Sequence, residues 1–208
     1  MKQCLAWLPL CACLLFAGSG CYQRADDARY FLLDVQRNKT PQTNPKDVIL
    51  MVRPFSLSPG YHPKEFTYRT KDFQYESDYY NRFITDAGRQ VAEQTQRWLD
   101  DSGLFAHAVP PGSTMSATHL LEGNITRLYG DFRDQANAQA VVGITFYFLD
   151  VTNRKPKIIF SEAYEVATAV PENKAERLIE AYNAGLGEIL AQLEEKLVQS
   201  LPADEAKL

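Results

Sequence analysis

The chain has 208 residues, with 22 Lys and Arg against 26 Asp and Glu, and a net charge of −4. This length suits one domain with a sizeable core, and the acidic balance excludes a general electrostatic attraction to nucleic acid or anionic lipid. Because 45% of the residues are hydrophobic and 12% are aromatic, the composition favours a folded domain over disorder.

The first 21 residues have the pattern of an export signal that ends at a cysteine. After Lys2, an apolar run extends from Cys4 to Ala17 and gives way to Gly-Ser-Gly before Cys21. The run is too short to span a bilayer, which needs about 20 apolar residues, and is typical of a signal that is cleaved. Small residues before a cysteine indicate the lipoprotein variant, in which Cys21 carries diacylglycerol and an acylated amino terminus.

An ordinary secretory signal, cut just before Cys21, is the alternative. All four cysteines lie in the first 21 residues, so the mature chain would have one unpaired cysteine at its first position. Exported proteins commonly form disulfides in pairs, and a lone terminal thiol is better explained by lipidation. We predict a signal peptide at 1–20, a lipid anchor with a short tether at 21–29, and no cofactor other than the covalent lipid.

Hydrophobic patterning then predicts a series of strands separated by Pro, Gly and polar loops. The run at Asp47–Phe55 is dense enough for a central strand buried on both faces, and Ala138–Asp150 alternates so that Val142, Ile144, Phe146 and Phe148 share one face. The other predicted strands are Tyr30–Val35, a hairpin at Phe66–Glu76 that turns near Lys71 and Asp72, Leu104–Val109, Thr118–Tyr129 and Lys157–Ala169.

Two helices complete the predicted domain. The first begins with Ser77 as N-cap and ends at Gly103. The second extends from Lys174 to Leu201, with Asn173 and Glu176 spaced as a capping box and Pro202 ending it. Its buried stripe comprises Leu178, Tyr182, Leu186, Ile189, Leu190, Leu193, Leu197 and Leu201. We therefore predict an α+β fold, a mixed β-sheet packed by two main helices, as one domain over 30–202 with a loose tail at 203–208.

The chain lacks the sequence patterns of common catalytic and metal sites. His62, His107 and His119 are not at metal-ligand spacing with another His or Cys, so we predict no metal. There is no Gly-x-Ser-x-Gly elbow and no phosphate-binding Gly-rich loop, so we predict no catalytic residues. An enzyme of lipid or wall metabolism is the least favoured alternative.

Aromatic residues concentrate between Phe55 and Tyr80, where they alternate with charged residues. Tyrosines mixed with charges are typical of protein–protein contacts, because each ring offers an apolar body and a polar tip. The alternative, that half of these rings cover the core under a long loop, stays open. The candidate partner-binding residues are Tyr61, Phe66, Tyr68, Arg69, Tyr75, Tyr79 and Tyr80.

Several segments, spread in order over nearly all of the mature chain, carry a resemblance to a known family. They are Tyr30–Asp34, Val52–Phe55, Phe66–Arg69, Tyr75–Phe83, Arg97–Leu99, Ser102–Phe105, Leu121–Gly123 and Leu128–Arg133. In these segments the chain resembles the ABC-type transport auxiliary lipoproteins of the PqiC type. Those proteins accompany lipid transporters built from an ABC ATPase, a permease and a mammalian-cell-entry (MCE) domain protein.

The resemblance implies a fold like the amino-terminal domain of TolB and a non-catalytic lipoprotein on the periplasmic face of the outer membrane. Tyr22 follows the anchor, where Asp would imply retention in the inner membrane. The implied partners are the MCE protein and the ABC permease and ATPase, with a homo-oligomeric ring as a further implication and no nucleic acid. The implied role is to dock or stabilise the MCE assembly as lipid passes between membranes.

An envelope assembly or regulatory lipoprotein is the alternative, such as a peptidoglycan-synthase activator or a lipopolysaccharide-assembly partner. Within either function, a long apolar groove beside the last helix would favour lipid carriage. A filled core with a tyrosine-rich face would favour docking.

Overall fold

Nine strands form one mixed sheet, and two helices pack on it, in the computed structural model, which describes residues 28–201. The first helix, α1, is Ala87–Asp101 and the second, α2, is Ala175–Ser200. The strands are β1 Arg29–Phe31, β2 Lys46–Val52, β3 Ser56–Leu57, β4 Glu65–Lys71, β5 Gln74–Phe83, β6 Phe105–Val109, β7 His119–Asp131, β8 Gln139–Asp150 and β9 Lys157–Ala169. A short 3-10 turn, Gln135–Asn137, connects β7 to β8. The predicted α+β class is confirmed.

The sheet is organised by β7, its long central strand. One edge of β7 pairs antiparallel with β8 along nearly its whole length, and β9 continues the sheet beyond β8. The other edge meets three parallel strands in turn, namely β2 at Leu50↔His119, β3 at Ser56↔Asn124 and β4 at Tyr68↔Gly130. Beyond these strands the sheet continues in two directions. On one side β6 pairs with β2, and on the other β5 pairs with β4 and β1 pairs with β5. The arm formed by β4, β5 and β1 carries most of the aromatic segment.

The core lies between the sheet and the helices, with α2 on β8 and β9 and α1 on β6 and β2. The predicted inward residues of β8 are confirmed, since Val142, Ile144, Phe146 and Phe148 are all buried. The eight predicted stripe residues of the second helix are also buried. Neither helix is both long and apolar enough to cross a membrane within the described residues.

The predicted start of the first helix at Ser77 is wrong. Ser77 to Phe83 belong to β5, because this segment pairs with β4 on one edge and with β1 on the other. The N-cap is Asp86, whose carboxylate accepts a hydrogen bond from the backbone N–H of Arg89 at 3.0 Å. The predicted end is confirmed, since Gly103 follows the C-cap with a φ of 65°, a left-handed conformation that favours glycine.

Two finer predictions are also wrong. The strand predicted as buried on both faces, β2, alternates: Val48, Leu50 and Val52 are buried, whereas Ile49 and Met51 are half-buried. The predicted capping box at the start of α2 does not form, because the N-cap is Lys174 and no side chain caps it.

The first predicted strand is shorter than expected, because the chain leaves the sheet after β1 and crosses the helices. We call residues 32–37 the strap. Its backbone N–H groups donate to side chains: Leu33 to Gln90 Oε1 at 2.9 Å, Val35 to Gln94 Oε1 at 2.9 Å and Asp34 to Asn183 Oδ1 at 3.0 Å. Side-chain amides from both helices thus replace a strand partner. The predicted signal, anchor, Pro202 and tail lie outside the described residues.

Candidate partner-binding surface

The aromatic segment divides between the core and the surface. Phe66 is 0% exposed, and its ring centroid lies 4.7 Å from that of Phe83 and 5.2 Å from that of Phe31. Phe66 is therefore a core residue and can contact no partner in this fold, although the aromatic pattern placed it among the candidates. Phe55 is also buried, so part of the segment does cover the core.

Three tyrosines form a cluster on the sheet face opposite α2. The rings of Tyr61 and Tyr129 are parallel at 6.5 Å, and Tyr75 meets Tyr129 edge-on at 5.4 Å. The Arg69 guanidinium lies 5.8 Å from the Tyr75 ring centroid, within cation–π range. Burial raises the pKa of Tyr61 to about 12, so its hydroxyl stays protonated and is a hydrogen-bond donor at neutral pH. The structure thus brings Tyr61, Arg69 and Tyr75 together, and adds Tyr129 from β7.

The tip of the β4–β5 hairpin presents Phe73, which is 99% exposed. Ion pairs fix the tip against the end of β7: Arg133 bridges Asp72 at 2.7 Å and Asp131 at 2.8 Å, and Arg69 lies 3.8 Å from Asp131. Hydrogen bonds from Arg133 lower the pKa of Asp131, so this network stays charged at neutral pH. These ion pairs link the hairpin tip to β7, and the tip presents an aromatic side chain that a partner could cover.

Phe73 was missing from the candidates, although the sequence held a signal for it. Asp72 and Phe73 stand between two runs that both read as strands, and a residue in a tight hairpin turn has no neighbouring strand to cover it. The turn was expected one residue earlier, near Lys71 and Asp72.

Tyr79 and Tyr80 are exposed on a bulge of β5. Glu65 pairs with Arg82 while the next residue of β4, Phe66, pairs with Asp78, so residues 79–81 have no counterpart in β4. The Asp78 carboxylate closes this bulge by accepting hydrogen bonds from the Tyr80 N–H at 2.8 Å, the Asn81 N–H at 3.0 Å and the Tyr68 hydroxyl at 2.8 Å.

The carboxylate at the bulge is charged. Burial raises the pKa of Asp78, but hydrogen bonds from Asn81 and Tyr68 outweigh burial, and the net pKa is lowered. Tyr68 is half-buried and its hydroxyl is hydrogen-bonded to Asp78. By contrast, Tyr79 and Tyr80 are 64% and 50% exposed, and their rings pack edge-to-face at 5.6 Å. The exposed candidates therefore fall into two groups, Tyr75 beside Phe73 at the hairpin tip and Tyr79 with Tyr80 at the bulge, whereas Tyr61 and Tyr68 are half-buried.

A cleft of about 830 Å³ opens between the β4–β5 arm and the start of α2. Its walls carry both signs of charge, and Arg29 and Glu176 form an ion pair at 2.8 Å. Sites for acyl chains are predominantly apolar, so this lining is unsuited to lipid carriage. The sheet-facing side of α2 is filled by its buried stripe, which leaves no long apolar groove there among the described residues.

The three histidines lie apart. His119 stacks on Phe148 at 5.1 Å, and burial lowers the pKa of the His119 imidazole, so the ring packs as a neutral side chain. His62 lies 3.6 Å from Glu65 at the surface. Between residues 28 and 201, no group of three His, Cys, Asp or Glu side chains is placed to hold a metal ion.

A comparison with solved structures identifies proteins of the same fold. A protein from Xanthomonas campestris, described by the family model DUF330, has a TM-score of 0.70 and 15% identity, over 83% of this chain and 96% of that one. An uncharacterized protein has a TM-score of 0.63 and 11% identity, over 82% and 99%. The lipoprotein GNA1162 from Neisseria meningitidis reaches only 0.38 at 10% identity, over 73% and 99%, a similarity too low to bear on this chain.

In sequence, no protein-family model and no curated protein matches the chain significantly. At these identities the structural likeness concerns the fold alone. The protein therefore has the fold of the DUF330 protein from Xanthomonas campestris, with the two exposed tyrosine groups on the β4–β5 arm.

Proposed function

We propose that the protein is a non-catalytic envelope lipoprotein, anchored through Cys21, that serves an ABC/MCE-type lipid transport system. It docks or stabilises the periplasmic MCE assembly at the outer membrane. The observation that carries the proposal is the fold. Segments of the sequence that resemble PqiC-type lipoproteins assemble into one domain. The structural match to the DUF330 protein covers 96% of that protein and 83% of this chain.

The surface of the domain supports docking as its role. The hairpin tip offers Phe73 and Tyr75, which are 99% and 45% exposed, above the tyrosine cluster. Ion pairs from Arg133 and Arg69 link this tip to the end of β7 through Asp72 and Asp131. Aromatic and arginine side chains in one patch are typical of the residues that dominate binding energy.

The anchor is tested by replacing Cys21→Ala. If Cys21 carries the lipid, the variant is no longer acylated, and it leaves the membrane fraction of the envelope. Mass spectrometry of the amino-terminal peptide measures acylation directly. A variant that fractionates with membranes as before contradicts the anchor.

The partner is tested by crosslinking the full lipidated chain in envelopes and identifying what it captures. The proposal expects an MCE-domain protein and its permease, and it expects the double variant Phe73→Ala/Tyr75→Ala to capture several-fold less. Ile158→Ala is the matched control, because Ile158 is 56% exposed on β9 at the other edge of the sheet. Capture of a peptidoglycan synthase or of lipopolysaccharide-assembly proteins instead would support the alternative, an assembly or regulatory lipoprotein.

A further inference from the structure

A second exposed apolar surface lies at the free edge of the β4–β5–β1 arm. We call it the β1 patch; it comprises Tyr30, Leu32, Tyr79, Tyr80, Arg82 and Ile84. Of these, Tyr30, Leu32 and Ile84 are 58%, 56% and 52% exposed. No other part of the described chain gathers as many exposed large hydrophobic side chains.

Strand register makes these residues neighbours. In the parallel pair of β1 and β5, Tyr30 lies opposite Arg82 and Phe31 opposite Phe83. Phe31 and Phe83 point into the core, so Tyr30 and Arg82 point outward, and Leu32 and Ile84 follow on the same side. The Arg82 guanidinium lies 5.6 Å from the Tyr79 ring, and Tyr79 contacts Tyr80, which joins the bulge to the strand pair.

The side-chain composition of the β1 patch matches a membrane–water interface. Tyrosines accumulate there because the ring is apolar and the hydroxyl can reach water and headgroups. Leu32 and Ile84 supply aliphatic surface between the tyrosines, and the Arg82 side chain, which is only 22% exposed, lies beneath them with its guanidinium 4.0 Å from the Glu65 carboxylate. Such a surface can rest in the outer few ångströms of a bilayer without crossing it.

The position of the patch in the chain selects a bilayer over other occupants. Tyr30 is separated from Cys21 by only eight residues, so the two positions lie at most about 30 Å apart in a fully extended chain at ~3.3 Å per step. The patch therefore stands at the attachment point of the tether, within reach of the membrane that holds the lipid. The hairpin tip lies at the far end of β5, roughly 30 Å away at ~3.3 Å per residue.

We propose that the β1 patch rests on the lipid bilayer that anchors Cys21, so that the arm stands upright and holds the hairpin tip toward the periplasm. The inference rests on the proposed acylation of Cys21. It adds the orientation of the domain, which would contact the same membrane twice: through the acyl chains on Cys21 and through the tyrosine and aliphatic side chains of the β1 patch. The acyl chains retain the protein at the membrane, and the β1 patch fixes how the domain is turned toward the bilayer surface.

The test uses the full lipidated chain in vesicles of phosphatidylethanolamine and phosphatidylglycerol. A cysteine is introduced by Leu32→Cys or, as control, by Ile158→Cys, and it carries an environment-sensitive fluorophore. The two positions are matched, because both side chains are 56% exposed. Phe73→Cys, at the hairpin tip, is a second control. In the acylated mature chain the introduced thiol is the only one available, since the other cysteines precede Cys21.

The inference expects lipids with a spin-labelled headgroup region to quench the label at position 32 several-fold more than the labels at 158 and 73. Equal quenching at the three positions, in protein shown to be acylated and bound to vesicles, overturns the inference and leaves the anchor intact. A label at 32 that is shielded from aqueous iodide but not quenched by lipid also overturns it, because a second copy or a protein partner then covers the patch. Absence of the acyl mass on Cys21 overturns the anchor and, with it, the inference.

Discussion

At the scale of single residues, two tyrosine hydroxyl groups, one fully buried and one half-buried, differ in their hydrogen bonding. The Tyr182 ring packs against Phe66 and Phe83, and its buried hydroxyl has no hydrogen-bond partner among residues 28–201. Burial raises the pKa of this hydroxyl well above the usual value. The Tyr68 hydroxyl donates to the Asp78 carboxylate at 2.8 Å and helps to close the bulge. Folding therefore removes the Tyr182 hydroxyl from water without giving it a new hydrogen bond, whereas the Tyr68 hydroxyl gains a charged acceptor.

The same substitution at the two positions should therefore have opposite effects. We expect Tyr182→Phe to raise the free energy of unfolding by about 1 kcal/mol, because it removes an unpaired buried polar group. We expect Tyr68→Phe to lower it by about 1–2 kcal/mol, because Asp78 loses a donor. Urea denaturation followed by circular dichroism measures both, and a loss of stability in Tyr182→Phe would show that the hydroxyl has a partner in solution.

At this scale the sequence located the surface but could not assign each ring. Alternating tyrosines and charges correctly indicated a segment with exposed aromatic residues. Phe66 and Phe73 are the same residue type in the same hairpin, yet one is 0% and the other 99% exposed. The difference depends on the pairing of β4 with β7 and on the turn at Asp72, and both are properties of the sheet that local pattern does not contain.

Among the elements, the boundary between β5 and α1 was the hardest to predict. Ser77 followed by Asp78 resembles a helix N-terminus, but the Asp78 side chain closes a strand bulge instead, through the Tyr80 and Asn81 N–H groups. Asp and Ser form such local bonds in caps and in turns alike, so a cap motif does not distinguish a helix from a bulge. The longer elements, β8, β9 and α2, were predicted closely because their hydrophobic repeats extend over many residues.

The start of α1 gives a prediction at this scale. A Cβ at Gly88 would overlap the backbone carbonyl oxygen of Phe55, which β3 and the adjoining loop hold in place. We expect Gly88→Ala to destabilise the protein by about 2 kcal/mol or more, although alanine favours helices by about 1 kcal/mol over glycine.

Gly60→Ala is the matched control for Gly88→Ala. Nothing lies within 4 Å of a Cβ at Gly60, and its φ is outside the left-handed region. We expect this variant to be neutral or more stable by about 0.5 kcal/mol. Thermal unfolding compares the two, and a Gly88→Ala variant as stable as the parent would mean that α1 can move away from Phe55.

At the scale of the whole molecule, the strap links α1 to α2, and no sequence pattern indicated it. Its contacts span the chain, from Leu33 and Val35 to Gln90 and Gln94 on α1 and from Asp34 to Asn183 on α2. The strap ends at Arg37, which binds the Glu194 carboxylate with two hydrogen bonds of 3.0 and 2.9 Å. Partners 157 residues apart meet only in the folded protein, so periodicity could predict the two helices but not what joins them.

Glu194 is where the strap, α1 and α2 meet, and it gives a prediction for the stability of the whole fold. Trp98 on α1 donates its indole N–H to Glu194 Oε2 at 2.8 Å, and the side chains of Arg37 and Glu194 are only 4% and 8% exposed. Glu194→Ala leaves the Arg37 charge buried without its partner, so we expect a loss of about 3–5 kcal/mol. The control is Glu195→Ala, since Glu195 is 69% exposed, and we expect a change within about 0.5 kcal/mol.

The dependence of that loss on pH identifies the ion pair as its cause. Burial raises the pKa of Glu194, but hydrogen bonds from Arg37 and Trp98 outweigh it, so the folded pKa lies below the usual 4.5. A carboxyl group with a lowered folded pKa stabilises the protein fully above its unfolded pKa and loses this effect as the pH falls through the folded pKa. The difference in unfolding free energy between the parent and Glu194→Ala should thus be constant near pH 7 and shrink below 4.5.

Other carboxyl groups with lowered pKa values, such as Asp78 and Asp131, are present in both proteins and cancel in the difference. A difference that does not change with pH would mean that Glu194 stabilises the junction by packing, and that the strap is held by its backbone hydrogen bonds alone.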